Sequence, residues 1–235
     1  MKIMLTCILT ILGLNGVCLL AKTEHKKPEQ LFRILQNNHG WELADINDEV
    51  SISTKLIQNR DLVALMVKQK TSISLEILQE VIMDVKYYSD FLTGAGPIIS
   101  QEIYRTDSWL DGYQFIPVDV PFVSNREYCF RMHLNGLLDN DSTSIVHWYL
   151  LKQDSTNQHL LKYDTKDAVQ LDFGAGLWMA EKADNGSVTI SYRLYMDPGG
   201  SIPRFLIDIV NEMSIVNIFK DALAEAGRRE ITNAP

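Results

Sequence analysis

The sequence predicts an α+β chain, in which an antiparallel sheet packs against one long helix near the C-terminus. Two observations carry this expectation. In DPGGSIPRFLIDIVNEMSIVNIFKDALAEAG, residues 197–227, a turn and a proline suited to the first helical turn lead into apolar residues at helical spacing, and a glycine follows as a stop. Most of the chain before it reads instead as strands, three of them with sustained period-two alternation.

With Ser201 as N-cap, Ile202, Phe205, Leu206, Ile209, Val210, Met213, Val216, Phe219 and Leu223 form one broad apolar face. Arg204, Asp208, Glu212, Lys220, Asp221 and Glu225 form the polar side. A face so wide has to be buried while the other side meets water, so the helix lies on a sheet. In that position it can be plain core, or it can close a cavity.

The remaining elements follow in order. Residues 28–38 carry Leu31, Ile34 and Leu35 at helical spacing, a short helix ending near Gly40. Two strands then flank a turn at residues 58–61. In the first, Val50, Ile52, Thr54 and Leu56 alternate with Ser51, Ser53 and Lys55, which predicts one covered and one wet face. The second, residues 62–67, is apolar on both faces and is expected to be covered on both. Residues 74–91 return to helical period through Leu75, Leu78, Ile82 and Val85, with Glu76 in the first turn suiting the helix dipole, and Gly94, Gly96 and Pro97 end the run.

Strands are expected at residues 98–105, 113–117 and 126–134, the last two joined by a loop with Phe122 at its tip. In residues 126–134, Tyr128, Phe130, Met132 and Leu134 share one face, and Glu127, Cys129, Arg131 and His133 the other. A one-residue slip would exchange the two sets, so the register is well specified. Further strands are expected at 145–151, 160–163, 174–182 and 188–196. The last sets Val188, Ile190, Tyr192, Leu194 and Met196 against Thr189, Ser191, Arg193 and Tyr195, and DNG at 184–186 closes a tight hairpin before it.

At 235 residues and 46% hydrophobic, the chain can bury one sizeable core, and a single domain is expected. The net charge of −8, with no clustering of Lys and Arg among aromatics, argues against a nucleic-acid partner. Lys2 followed by an apolar run to Ala21 has the form of a secretory signal over residues 1–21, which implies export to a periplasm or the exterior. A retained membrane anchor is the alternative, and lipidation at Cys18 stays open although Asn15, Gly16 and Val17 fit a lipobox badly. Removal of the signal leaves Cys129 as the single cysteine and no internal disulfide.

The sequence carries no recognisable signature of catalysis. His25, His39, His133, His147 and His159 have no metal-ligand spacing, Ser124 and Ser201 lack a nucleophile-elbow context, and the glycines at 174–176 open no helix that could cradle a phosphate. Those glycines suit a bend in a curved sheet, and Cys129 sits on a strand face with no basic helix terminus beside it. No metal and no cofactor are expected.

Three stretches in this order resemble the START domains, the lipid-transfer family named for the steroidogenic acute regulatory protein. They are PFVSNRE at 121–127, FGAGLWMAE at 173–181 and the closing DPGGSIPRFLIDIV. Pro121, Val123, Ser124 and Arg126 match the family pattern that opens a central strand, with Glu127 in place of an aspartate. Gly200, Ile202 and Pro203 match the Gly-x-Ile-Pro before its last helix. The resemblance implies a helix-grip fold over residues 40–227: a curved antiparallel sheet wrapped around the C-terminal helix, with an apolar internal tunnel for one lipid or sterol. Residues 22–39 then form a linker and short helix, and 228–235 a tail. One departure stands out. Sterol-binding members resemble one another in a Glu and Arg pair inside the tunnel, and those positions fall here on Tyr113 and Met132, while Arg131 has the opposite parity.

The expected function is non-enzymatic binding and transfer of a lipid or sterol-like apolar ligand by a monomer, with transient membrane contact during exchange. The expected lining is Tyr113, Tyr128, Phe130, Met132, Tyr192 and Leu194 on the sheet, with Phe205, Ile209, Met213 and Val216 on the helix. The alternatives are a helix-grip enzyme, a cyclase or hydrolase needing an acid or base in the cavity, and an interaction domain whose own side chains fill it.

Overall fold

The structure, a computed structural model, describes residues 28–47, 49–57, 62–94, 96–118, 123–138, 142–154, 160, 165, 167–199 and 204–233. Side chains at 28–29, 135–138, 204–213 and 233 are outside the description. The proposed signal, the N-cap at Ser201 and the loop tip at Phe122 lie outside the described residues.

Among the described residues, ten strands form one sheet in the order β1-β2-β3-β10-β9-β7-β6-β5-β4, with a short β8 pairing parallel to β6 and every other pair antiparallel. The strands are β1 (Glu42–Asn47), β2 (Val50–Leu56), β3 (Val63–Thr71), β4 (Ile99–Arg105), β5 (Trp109–Ile116), β6 (Asn125–Leu138), β7 (Thr143–Leu151), β8 (Ala168–Gln170), β9 (Gly174–Lys182) and β10 (Val188–Met196). The helices are α1 (Pro28–Gln36), α2 (Leu75–Met83), α3 (Tyr88–Phe91) and α4 (Arg204–Asn233). The expected helix-grip architecture is therefore present, with α2, α3 and α4 on the inner face of the curved sheet.

Period-two alternation puts the main core on that face. Ile52, Val67, Phe130, Val146, Trp178 and Ile190 meet Leu78 and Ile82 of α2 and Ile215, Phe219 and Ala222 of α4. The opposite face, expected to be covered at β3 and wet at β2, is covered more widely. Helix α1 lays Leu31 and Leu35 over Ala64, Ile145, Leu177 and Tyr195, and Leu160 packs with Tyr113, Cys129 and Leu151. That explains why Ser53 and Glu127, on the polar side of their strands, are buried. Helix α1 thus belongs to the packed body, which begins before the boundary at residue 40.

The short β8 was not expected, and four further elements differ from the sequence expectation. Strand β1 is new: every side chain on it is exposed and a bulge interrupts its register between Leu43 and Asp45, so no burial alternation marks it. The single helix over 74–91 is broken at Asp84 into α2, a 3-10 turn (Val85–Tyr87) and α3. The break is held because side chains take the carbonyls freed there: the Tyr88 hydroxyl donates to Ile82 O, and Arg105 donates to Met83 O at 2.7 Å. Leu160, expected in a strand, sits in a 3-10 turn, and 161–163 lie outside the described residues.

The fourth difference is Gly227, which does not stop α4. Glu225 bridges Arg228 and Arg229 at 2.6 and 2.7 Å, Arg229 reaches Asp84 at 2.8 Å, and Glu230 accepts the Ser74 N–H at 2.9 Å. Together these offset the ~1 kcal/mol that an internal glycine costs a helix. The Arg228 guanidinium, with that of Arg229, holds the Glu225 carboxyl down at about 2.

Candidate functional site

Strand parity and cross-strand register bring one set of side chains to the middle of the inner face. Tyr128 stands opposite Gln114, Met132 opposite Trp148, and Tyr192 opposite Trp178. With Ile116 and Phe130 they form the floor of a partly open, mainly apolar cavity of about 80 Å³. Its roof is Val81 and Ile82 of α2, Tyr88 and Phe91 of α3, and Leu92 and Ile98, while Ile218 and Ala222 of α4 close the side. Two strand glycines make room for the rings. A Cβ on Gly176 would lie 2.6 Å from the Trp148 indole, and one on Gly112 would lie 2.4 Å from the Phe130 ring.

The wall is an aromatic stack with few polar groups. Tyr192 lies flat on Trp178, ring centroids 4.1 Å apart at 10°, and Trp178 stacks on Phe219 of α4 at 5.8 Å. The Tyr128 hydroxyl donates to Gln114 Oε1, and Gln114 Nε2 donates to Ser100 Oγ at 3.3 Å. Burial pushes the hydroxyls of Tyr88, Tyr128 and Tyr192 well above the usual phenol range, so all three are neutral. Among the described lining residues there is no Asp, Glu, His, Lys or Arg.

Of the residues the sequence assigned to the lining, Tyr128, Phe130, Met132 and Tyr192 are on the cavity wall. Leu194 and Val216 pack in the same core without lining the cavity. The side chains of Phe205, Ile209 and Met213 lie outside the described residues. Tyr113 is a correction: it stands opposite Cys129 and so points to the outer face. There its hydroxyl donates to Glu127 Oε2 at 2.9 Å, and the same buried carboxylate accepts from the backbone and hydroxyl of Thr165 at 2.7 and 3.0 Å. Sequence reasoning missed Gln114, Trp148, Trp178 and the roof. The signal that finds Gln114 is its pairing with Tyr128.

The remaining charged groups serve structure outside the cavity. Arg131 makes a bidentate pair with Asp111 at 2.7 and 2.8 Å and stacks over Trp109, 4.0 Å from its centroid, all on the outer face. Arg126 ties the start of β6 to the turn before α4 by donating to Pro198 O at 2.8 Å. His133 and His147 stack at 5.0 Å on the outer face, and burial, with His133 adding to it, pulls His147 down to about 4. Burial pushes the Cys129 thiol up to about 11, which makes it a poor nucleophile. Among the described residues no group of His, Cys, Asp and Glu could hold a metal, and no helix is long and apolar enough to cross a membrane. A wider groove between α2, β4 and α4 is open and charged, lined by Glu80, Asp84, Glu102, Arg105 and Arg229.

No protein-family model matches the sequence, and no curated protein matches it significantly. Solved structures do share its fold. A STAR-related lipid transfer protein from Xanthomonas axonopodis superposes with a TM-score of 0.66 at 17% identity, covering 80% of this chain and 98% of its own. Human STARD10 gives 0.65 at 18%, covering 88% and 83%, and human StAR-related lipid transfer protein 5 gives 0.65 at 14%, covering 86% and 93%. The architecture is therefore that of the START lipid-transfer domains.

Proposed function

We propose that this START-fold chain is a non-enzymatic carrier that holds a lipid or other apolar ligand between the sheet and α4 and hands it on. The observation that supports this best is the aromatic-walled, mainly apolar cavity within the main core, in a fold whose solved neighbours are described as lipid transfer proteins. Burying a ligand's hydrocarbon is favourable by ~25 cal/mol per Å², so affinity there needs shape and dryness more than charge. The volume of about 80 Å³ is below the roughly 300–1,000 Å³ of a ligand-filled pocket. Loading, on this reading, separates the walls.

The small volume also favours a second reading, an interaction domain filled by its own side chains. The enzyme alternative has less support, because the described lining offers neutral tyrosines and an amide in place of an acid or base. A cavity-filling variant separates carrier from filled core. Ala222→Trp puts an indole into the space beside Ile218, and it is expected to cut uptake of a fluorescent acyl-chain lipid by at least about 10-fold with the circular dichroism spectrum unchanged. Normal uptake by that variant, or none by the wild type, contradicts the proposal. Export through residues 1–21 is part of the same reading, supported by the charged and apolar order of that segment, and N-terminal sequencing of the mature protein tests it.

A further inference from the structure

The cavity has two kinds of boundary. Its floor belongs to β10, β9, β7, β6 and β5, which are joined by continuous antiparallel ladders, so opening it would break a whole register. At the roof, lining residues meet instead across a seam between two separate segments. Leu92 and Ile98 stand on the connection from α3 to β4, and Ile218 and Ala222 on α4. The seam is held by a clip on one glycine. Asp221 accepts the Gly94 N–H at 2.7 Å, and Asn217 donates to Gly94 O at 2.6 Å. Asn217 and Asp221 are one helical turn apart and next to Ile218 and Ala222, so the turn of α4 that lines the cavity also holds its rim.

This clip is built to be tight and to open. A Cβ on Gly94 would lie 3.2 Å from the Asp221 carboxylate and 3.3 Å from Asn217 Cβ, so the close grip uses the missing side chain. Both hydrogen bonds are exposed, and water replaces them at little net cost. Two residues on, Gly96 has a φ of +92°, and a connection with two glycines changes conformation at low strain. The other fastenings of α4 to the roof, Arg229 to Asp84 and Glu230 to the Ser74 N–H, are part-buried and charge-assisted, which makes them the fixed side.

Resting on the carrier reading, we infer that the seam at Gly94 is the ligand's portal, and that the Asn217–Gly94–Asp221 clip sets how fast the ligand exchanges rather than how tightly it binds. The clip breaks while a ligand passes in either direction and is remade afterwards. Its loss therefore lowers the barrier to uptake and to release alike, and leaves their ratio unchanged.

The test is exchange of a fluorescent acyl-chain lipid between the full chain and phosphatidylcholine vesicles. Gly94→Cys with Asn217→Cys puts two thiols across the seam, and the 3.3 Å between their Cβ positions is close to the roughly 3.8 Å of a disulfide. The native Cys129 is buried, with its thiol pushed up to about 11, and does not compete. Loaded and then oxidised, the double variant is expected to release the probe at least about 10-fold more slowly than the wild type, and a reducing agent should restore the rate. Asn217→Ala with Asp221→Ala reads the same clip in the other direction. Uptake and release should each quicken about 10-fold, with Kd within about 2-fold of the wild type, whereas a merely structural role would move Kd or the melting temperature without moving both rates together. A crosslinked protein that exchanges at the wild-type rate overturns the inference, as does an alanine variant with unchanged rates. Either result leaves the carrier reading standing, while a wild type that takes up no probe defeats that reading and the inference with it.

Discussion

Two glycines set how closely the aromatic wall can pack. At Gly176 a methyl group would meet the rigid Trp148 ring at 2.6 Å, and neither backbone nor indole can retreat cheaply. Gly176→Ala is expected to destabilise the fold by about 1–3 kcal/mol in chemical denaturation and to change the tryptophan emission. The sequence suggested a bend at this glycine. Its role as a seat for Trp148 depends on the β7–β9 register, which one chain's residue pattern does not contain. Tyr113 teaches the same point. Parity within β6 was legible, but placing β5 against it needed the pairing of Tyr113 with Cys129, which turns Tyr113 outward and Gln114 inward. His147 gives a pH prediction. Its folded pKa, about 4, lies below the ordinary imidazole value, so the unfolded chain takes up the proton first as pH falls. Its contribution is whole above about pH 6.5 and is lost on falling to about 4, an effect of order 2–3 kcal/mol. Thermal melts across that window should show a shallower pH slope for His147→Gln than for the wild type, and equal slopes would refute the assignment.

Helices here are positioned by charged and polar side chains as much as by apolar faces. The last carbonyls of α1 are taken by Arg193, which donates to Leu35 O and Gln36 O at 2.9 and 3.0 Å, and by Lys55, which donates to Ile34 O and Asn37 O at 2.8 and 2.9 Å. Arg193 is 2% exposed, so replacing it strands acceptors that water cannot reach. Arg193→Leu is expected to cost about 2–3 kcal/mol and to raise hydrogen exchange in α1 before the sheet, and uniform exchange would contradict this. The sequence placed Arg193 on the outer face but could not tell that α1 covers it. The described part of α4 is fastened to the roof in the same way. Asp221 accepts the Gly94 N–H at 2.7 Å, Asn217 donates to Gly94 O at 2.6 Å, and Arg229 reaches Asp84 at 2.8 Å. The apolar stripe of α4 was legible at helical spacing. Its extension past Gly227 was not, because it rests on contacts with Ser74 and Asp84, far away in sequence.

At the scale of the molecule, the helix grip was legible because three independent signals agreed: the alternating strands, the long amphipathic helix and the START-like stretches. What the sequence left unread is that the outer face is covered beyond β3 as well, and that the inner cavity is small, at about 80 Å³. A carrier gains stability when loaded, because the ligand binds the folded chain alone. At a free concentration of 100 times Kd the gain is about 2.7 kcal/mol, which for a chain of this size raises the melting temperature by roughly 5–10 °C. The most direct test of the carrier account is native mass spectrometry of the purified mature protein, with extraction and identification of whatever co-purifies. The account predicts one stoichiometric, neutral, mostly hydrocarbon ligand, or an empty protein that takes up one such ligand and melts higher. An empty protein that takes up neither lipid nor sterol, with an unchanged melting temperature, would contradict it.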